Sequence, residues 1–317
     1  MPSASNLLQK LSHTLFTDPA EQQRFIEALL TPQPYSPCIL WLQPQPEESP
    51  FSVESPLPWQ PVFVDRLAIA SKPGQHRLHD QGEYYCLDFS SVLAASITLA
   101  IPTPPAIILD LCAAPGGKSI FLWRQFQPAQ LISNETIGKR VGMLIGNLKR
   151  CHIQPVTVLS CDPSQLAEAL PQTIDLVFVD APCTGQSLLA KGMKVQGCFH
   201  PVTIRQNAQR QKRILANAAQ LVAPGGYLAY STCAFSPEEN EQVGQWLMRK
   251  FPRFLPIKVE PLTEFQSPLT DLPCYRMWPQ SGLGAGAFAI LFQNTQNNLT
   301  MPLPEHLPGL RWQFPEQ

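Results

Sequence analysis

The chain reads as an α/β protein, a doubly wound, mostly parallel sheet preceded by a small N-terminal α/β domain. Three observations predict this. From about Tyr84 onward, short apolar runs alternate with amphipathic segments, the pattern of strands joined by crossover helices. A turn of small residues, Cys112-Ala113-Ala114-Pro115-Gly116-Gly117, follows the first of those strands and opens a helix. The chain has 34 prolines, about twice the roughly 5% that is usual. Many lie before Pro105, which marks the N-terminal portion as a separate, irregular unit.

Leu7, Leu8, Leu11 and Leu15 recur at helical spacing, and Phe25, Ile26, Leu29 and Leu30 repeat the pattern. Two short apolar runs follow, Ile39-Leu40-Trp41-Leu42 and Val62-Phe63-Val64. They are expected to be strands of a small domain over residues 1–83. The main domain is expected over residues 84–294. A helix at 89–95 leads to a buried strand, Ile107–Asp110. Leu131-Ile132-Ser133-Asn134-Glu135 ends the second strand. Residues 140–150 form an amphipathic helix with Val141, Leu144, Ile145 and Leu148 on one face. Val156–Leu159 and Ile174–Asp180 are the next strands. A helix over 204–222 stops at Pro224-Gly225-Gly226, and a strand follows at 227–230. Ser236, Pro237 and Glu239 have the spacing of an N-cap, a first-turn proline and a capping box. Val243, Trp246, Leu247 and Phe251 are the buried stripe of that helix. Residues 287–292 form a late strand. Residues 295–317 show no clear period and are expected to be a peripheral tail.

Composition narrows the function. A chain of 317 residues can bury a full core. With a net charge of −1 it is no polycation, so any nucleic-acid contact needs a local basic face. Candidates are Lys139, Arg140, Lys149 and Arg150, then Lys191 and Lys194, then Arg205, Arg210, Lys212 and Arg213. Each group reads equally as a solvated helix face. The nine cysteines are odd in number and contain no C-x-x-C pair, which argues against a disulfide framework and a zinc site. No metal is expected. Met1-Pro2-Ser3-Ala4-Ser5 has no basic leader character, and no apolar run reaches membrane length. A monomer in a reducing cytoplasm, with free thiols, is the expectation.

In an open α/β sheet, ligands bind beyond the carboxyl ends of the strands. The turn from Asp110 to Lys118 is the first such place. Its small residues let backbone approach a ligand, and the helix behind offers N–H groups. Gly117-Lys118-Ser119 matches the end of a P-loop, but the first glycine of that motif would fall at Cys112. The dinucleotide pattern G-x-G-x-x-G is also missing. A nucleoside ligand without a buried polyphosphate remains, and S-adenosyl-L-methionine is the obvious candidate. Glu135 stands where an acidic residue holds ribose hydroxyls, or is a solvated strand-end acid. Asp162 can face the adenine edge, and Asp180 can lie near both ligands.

Two cysteines close apolar runs, in Asp180-Ala181-Pro182-Cys183 and Ser231-Thr232-Cys233. Thiols have a use at a pyrimidine. Cytosine C5 is a poor nucleophile until a thiolate adds at C6 and makes an enamine. A base must then take the C5 proton so that the thiol can leave. A free cysteine has a pKa near about 8.5, so the site must lower it or supply a base. Amino methylation of adenine needs no thiol. Cys38, Cys86, Cys151, Cys161 and Cys274 read as small buried hydrophobes, and Cys198 is left open.

At these residues the chain resembles the RNA cytosine-5 methyltransferases of the RsmB/RsmF (Sun) type. The matching stretches are Leu111-Cys112-Ala113-Ala114-Pro115-Gly116-Gly117-Lys118, Asn134-Glu135, Asp180-Ala181-Pro182-Cys183-Thr184-Gly185, and Tyr230-Ser231-Thr232-Cys233 with Pro237-Glu238-Glu239-Asn240-Glu241. The resemblance implies a class I, Rossmann-like, S-adenosyl-L-methionine-dependent fold and an RNA substrate, ribosomal first and transfer RNA second. It implies that Cys233 is the nucleophile at C6 and that Cys183 assists release. It further implies that Asp180 bonds the cytosine near the cofactor, and that Cys112 to Lys118, Glu135 and Asp162 line the cofactor pocket. The chain departs from the family's pattern after Cys183, where Ser187 replaces a second glycine and Ala190-Lys191 replaces an Arg-Lys pair, followed by Gly192-Met193-Lys194-Val195-Gln196-Gly197. The altered loop from Gly185 to Gly197 bears on the RNA target, and it motivates a rival reading as an RNA-binding ribosome-assembly factor with weak turnover. A small-molecule methyltransferase would have no purpose for two thiols.

Overall fold

A computed structural model of the chain describes residues 4–46 and 48–315. Residues 1–3 of the N-terminal stretch read above lie outside them. Two helices come first, α1 (Asn6–Leu15) and α2 (Pro19–Leu30), capped by the side chains of Ser5 and Asp18. A three-stranded antiparallel sheet follows, built from β1 (Cys38–Trp41), β2 (Val64–Arg66) and β3 (Tyr84–Leu87) in the order β2-β1-β3. A short helix, α3 (Arg77–Asp80), precedes β3.

The sequence expectation shifts here in two places. The second strand starts at Val64, because Val62 points into solvent with 89% exposure while Trp41 Nε1 donates to Asp65 within the pair. The small sheet also takes β3, beyond the expected division at residue 84. Its Tyr84 is fully buried and packs edge-on against Trp41.

After α4 (Phe89–Ser96) the large sheet begins. Its strands are β4 (Ile107–Asp110), β5 (Gln130–Asn134), β6 (Val156–Leu159), β7 (Ile174–Asp180), β8 (Val222–Thr232), β9 (Phe254–Pro256), β10 (Cys274–Met277), β11 (Ala287–Asn294) and β12 (Leu310–Phe314). Connecting helices are α5 (Gly117–Phe126), α6 (Gly138–Arg150), α7 (Pro163–Ala169), α8 (Pro201–Leu221) and α9 (Glu241–Lys250). The order is β10-β11-β8-β7-β4-β5-β6-β12, with β9 paired to β11. Strands β4 to β8 run parallel, and β9 to β12 pair antiparallel. The chain moves outward from β4 to β6, then returns to place β7 on β4's other side. The crevice between β4 and β7 is therefore the switch point where ligands collect. Apolar side chains pack on both faces of the sheet, as expected for central parallel strands.

Two further findings differ from the sequence reading. Residues 310–314 of the tail form a strand on the β6 edge. Ser236 and Glu239 do not form a capping box. Helix α9 starts at Glu241, after Asn240, with no side-chain cap. Glu239 is instead drawn into a buried network described below. Of the expected stripe on α9, Val243 and Leu247 are buried, whereas Trp246 and Phe251 are half-buried.

Candidate active site

Strand ends bring the predicted residues together. Asp110 ends β4, Asn134 ends β5 with Glu135 following, Asp180 ends β7, and Thr232 ends β8 with Cys233 next. A cavity of about 630 Å³ opens above them. Its walls include Cys112, Ala114, Pro115, Lys118, Glu135, Asp162, Asp180, Cys183 and Cys233. A smaller chamber of about 230 Å³ shares Lys118 and Asp180 and adds Ala113, Gly117 and Asp110. Gly116 lines neither. It holds a left-handed φ of +114° at the cap of α5, a conformation that favours glycine. Its contribution is the turn itself.

Asn134 and Glu135 divide their work. Asn134 is fully buried and ties the loops after β4 and β6 together. Its amide donates to the carbonyls of Leu111 (3.2 Å) and Cys161 (3.1 Å), and its oxygen accepts from Cys161 N–H (3.0 Å). Glu135 accepts from Ile137 N–H at 2.9 Å and pairs with Arg140 at 3.1 Å. Asp162 caps α7 with one oxygen, which receives Ser164 N–H and Oγ. Those bonds hold its carboxyl below the usual range, and the residue stands exposed at the cavity rim.

The charged centre is Asp180. Lys118 Nζ donates to its Oδ2 at 2.7 Å, and Ser231 Oγ to its Oδ1 at 2.8 Å. Burial alone would lower the Lys118 pKa, but the Asp180 charge and hydrogen bond outweigh it and raise it. The lysine stays a cation, and Asp180 is fixed by one donor from helix α5 and one from strand β8.

The two thiols touch. Cys183 Sγ and Cys233 Sγ are 3.1 Å apart, both half-buried. Their contact polarises the pair. The hydrogen bond shared with Cys183 lowers the Cys233 pKa, and the Ser187 hydroxyl and Lys118 lower it further against burial and Asp180. The same bond, then burial, pushes Cys183 up. The bias is toward a lower pKa at Cys233 and a higher one at Cys183, and both residues line the cavity. Ser187 carries no motif of its own, so only its replacement of a glycine signals it in the sequence.

Cys112 lines the same cavity as this pair, and the other six cysteines stand apart from it. Cys38, Cys151, Cys161, Cys198 and Cys274 are buried, and Cys86 is half-buried outside the large cavity. The basic groups separate as well. Arg210 and Arg213 reach the cavity rim. Arg140 is paired with Glu135, Lys191 with Asp88 (2.8 Å), and Arg150 donates to the His79 carbonyl. Behind the Cys233 turn, Phe25 of α2 is fully buried against Phe235 and Trp278, so the N-terminal helices support the site from outside the sheet.

Comparison with known proteins places the chain in a family. The family described as 16S rRNA methyltransferase RsmB/F matches residues 97–293. Ribosomal RNA small subunit methyltransferase F of Cronobacter sakazakii is 29% identical over 261 residues, covering 80% of this chain and 54% of its own length. The protein of the same name from Escherichia coli is 29% identical over 262 residues, with the same shares. The chain spans about half the length of the curated relatives it matches. A methyltransferase homolog protein from Pyrococcus horikoshii superposes with a TM-score of 0.73 at 22% identity, covering 92% of this chain and 96% of that one. NSun6 from Pyrococcus horikoshii, solved with SFG, gives a TM-score of 0.73 at 18% identity, covering 92% and 99%. These likenesses show the fold, the Rossmann-like class I methyltransferase arrangement with a separate small sheet. With a family match over most of the large sheet and its strand-end turns, the chain belongs to the RsmB/F methyltransferase family.

Proposed function

We propose that the protein is an RNA cytosine-5 methyltransferase that uses S-adenosyl-L-methionine and works through a transient bond between Cys233 and C6 of the target base. Ribosomal RNA is the first substrate class and transfer RNA the second. The observation that carries this reading is the pair of touching thiols, polarised toward Cys233, inside the cavity at the switch point.

The residues present suit the cofactor. Glu135 offers a buried carboxylate to a ribose diol, Asp162 and Pro163 line the same cavity, and Asp110 Oδ1 has no hydrogen-bond partner beside the smaller chamber. Bound there, the group supplies an electrophilic methyl. The chain's own residues do the rest. Cys233 adds to C6 and turns C5 into the nucleophile. Asp180, held by Lys118 and Ser231, is placed to bond the base. Once Cys233 is bonded to C6 it no longer carries a negative charge beside Cys183. Cys183 can then lose its proton to solvent, take the C5 proton, and let Cys233 leave as thiolate. The starting pair is restored, and the net change is one methyl gained at C5 and one proton released. The target base must leave its stack to reach this depth, and Arg210 and Arg213 at the rim suit its phosphates.

Methyl transfer to RNA, followed with denaturing gels, tests the assignment. Cys233→Ala is expected to abolish transfer while cofactor binding persists, and Cys183→Ala to accumulate a covalent RNA adduct. An active Cys233→Ala protein would refute the proposal. RNA binding by the wild type with no label incorporated would favour the assembly-factor reading, for which the altered residues Ser187 and Ala190-Lys191 are the motive.

A further inference from the structure

The turns that carry the two thiols are tied to each other by buried side chains that the steps above do not use. Glu239, from the segment after Cys233, is fully buried. Its Oε1 accepts from Thr184 N–H (2.9 Å) and Gln211 Nε2 (3.0 Å), and its Oε2 from Thr184 Oγ1 (2.6 Å) and Ser236 Oγ (2.8 Å). Thr184 is the residue after Cys183. A second tie runs the opposite way. Gln186 Oε1, from the Cys183 turn, accepts from Phe235 N–H (2.6 Å) and Ser236 N–H (3.0 Å) just past Cys233. Its amide donates to the Cys198 carbonyl at 2.9 Å. Ser187 N–H donates to the Cys233 carbonyl at 3.0 Å.

Every partner of the Glu239 carboxylate is a donor, so its ionised form is fully satisfied where it stands. Burial pushes its pKa up, and the four donors oppose that. The charged groups around the pair are few. Cys233 faces Asp180 and Lys118, and Cys183 faces Glu239. Tyr230, fully buried against the same groups, is pushed well up and stays neutral.

We propose that Glu239 is a positioning residue for the thiol pair: cross-braced with Gln186, it holds the two sulfurs in contact, and its buried charge makes Cys183 the sulfur that keeps the shared proton. The inference rests on the reading of Cys233 as nucleophile and adds what selects it over its neighbour. The reciprocal ties explain why a contact between two separate turns holds its spacing. A neutral side chain at 239 would remove one of the causes that separate the two sulfurs.

Iodoacetamide labelling of the free protein across pH, with each cysteine followed by peptide mass spectrometry, tests this without RNA or methyl donor. The wild type is expected to label Cys233 roughly tenfold or more faster than Cys183 near neutral pH, since the thiolate is the reacting form. Glu239→Gln keeps the size and removes the charge, and is expected to bring that ratio toward unity and to move the Cys183 profile to lower pH. Thr184→Val removes one donor from the brace and is expected to shift the ratio the same way by a smaller factor. It decides the matter if Glu239→Gln does not fold. A folded variant with an unmoved ratio overturns the proposal, because a purely structural role would change melting temperature and not the preference between sulfurs. A wild type that shows the preference but methylates no RNA refutes the proposed function and still supports the brace.

Discussion

Asp110 offers a quantitative test of how the crevice is built. It ends β4 with its side chain fully buried, and Ser119 Oγ donates to its Oδ2 at 2.7 Å. Burial raises its carboxyl from 3.8 to about 7, with Ser119 and Lys118 opposing and Asp180 adding. A carboxyl with a raised folded value binds its proton more tightly in the native state. Its contribution therefore favours folding at low pH and is lost as pH rises from the unfolded value through about 7. The full gap is worth about 4 kcal/mol, an order-of-magnitude figure. Roughly 2.5 kcal/mol of it falls between pH 5 and pH 8. Asp110→Asn keeps the shape and an acceptor for Ser119 but has no charge to bury. Urea unfolding of both proteins at pH 5 and pH 8 should show the variant gaining about 2.5 kcal/mol on the wild type across that range. Any constant cost of the new amide cancels in the comparison. Equal pH dependence of the two proteins would refute the claim that Asp110 is held protonated near neutrality.

Two other perturbations reach the Cys233 turn. Gly286 has φ +114°, and a Cβ there would lie 2.6 Å from Phe235 Cε1 and 2.9 Å from its Cζ. Gly286→Ala should lower the melting temperature, by more than about 1 kcal/mol in stability, and should cut methyl transfer by displacing the turn. A full-rate, fully stable variant would contradict this. Arg276 and Glu241 form a buried bidentate pair, with Nε–Oε1 at 2.6 Å and Nη2–Oε2 at 2.5 Å, and Arg276 Nη1 donates to the Phe235 carbonyl at 3.0 Å. Arg276→Met should cost about 3–5 kcal/mol in chemical unfolding, and Glu241→Leu in the same chain should recover part of it. No recovery in the double variant would show that the buried charge left behind is not the cause.

The parallel half of the sheet could be read from the chain because its signals are local. Each of β4 to β7 is a short apolar run, and each following turn carries its own small or acidic residues, so Asp110, Glu135 and Asp180 announce themselves at strand ends. Elements defined by distant partners could not be read this way. Leu310–Phe314 becomes a strand only because β6, far back in the chain, leaves an open edge. Tyr84–Leu87 joins the small sheet because Tyr84 packs on Trp41.

Glu239 shows the limit most clearly. Its spacing from Ser236 fits a helix cap, and local rules assign it there. Thr184 and Gln211, which approach from other segments, claim its carboxylate instead. By itself, the sequence determined the fold class, the glycine-containing turn after β4 and the presence of two thiols at strand ends, since periodicity and turn chemistry act over a few neighbouring residues. Only the tertiary structure decided that the two sulfurs touch and that the contact biases Cys233 toward the lower pKa. The 3.1 Å contact, the nearby Lys118 and the buried carboxylate of Glu239 come from segments far apart in the chain, and electrostatic bias depends on distance in space.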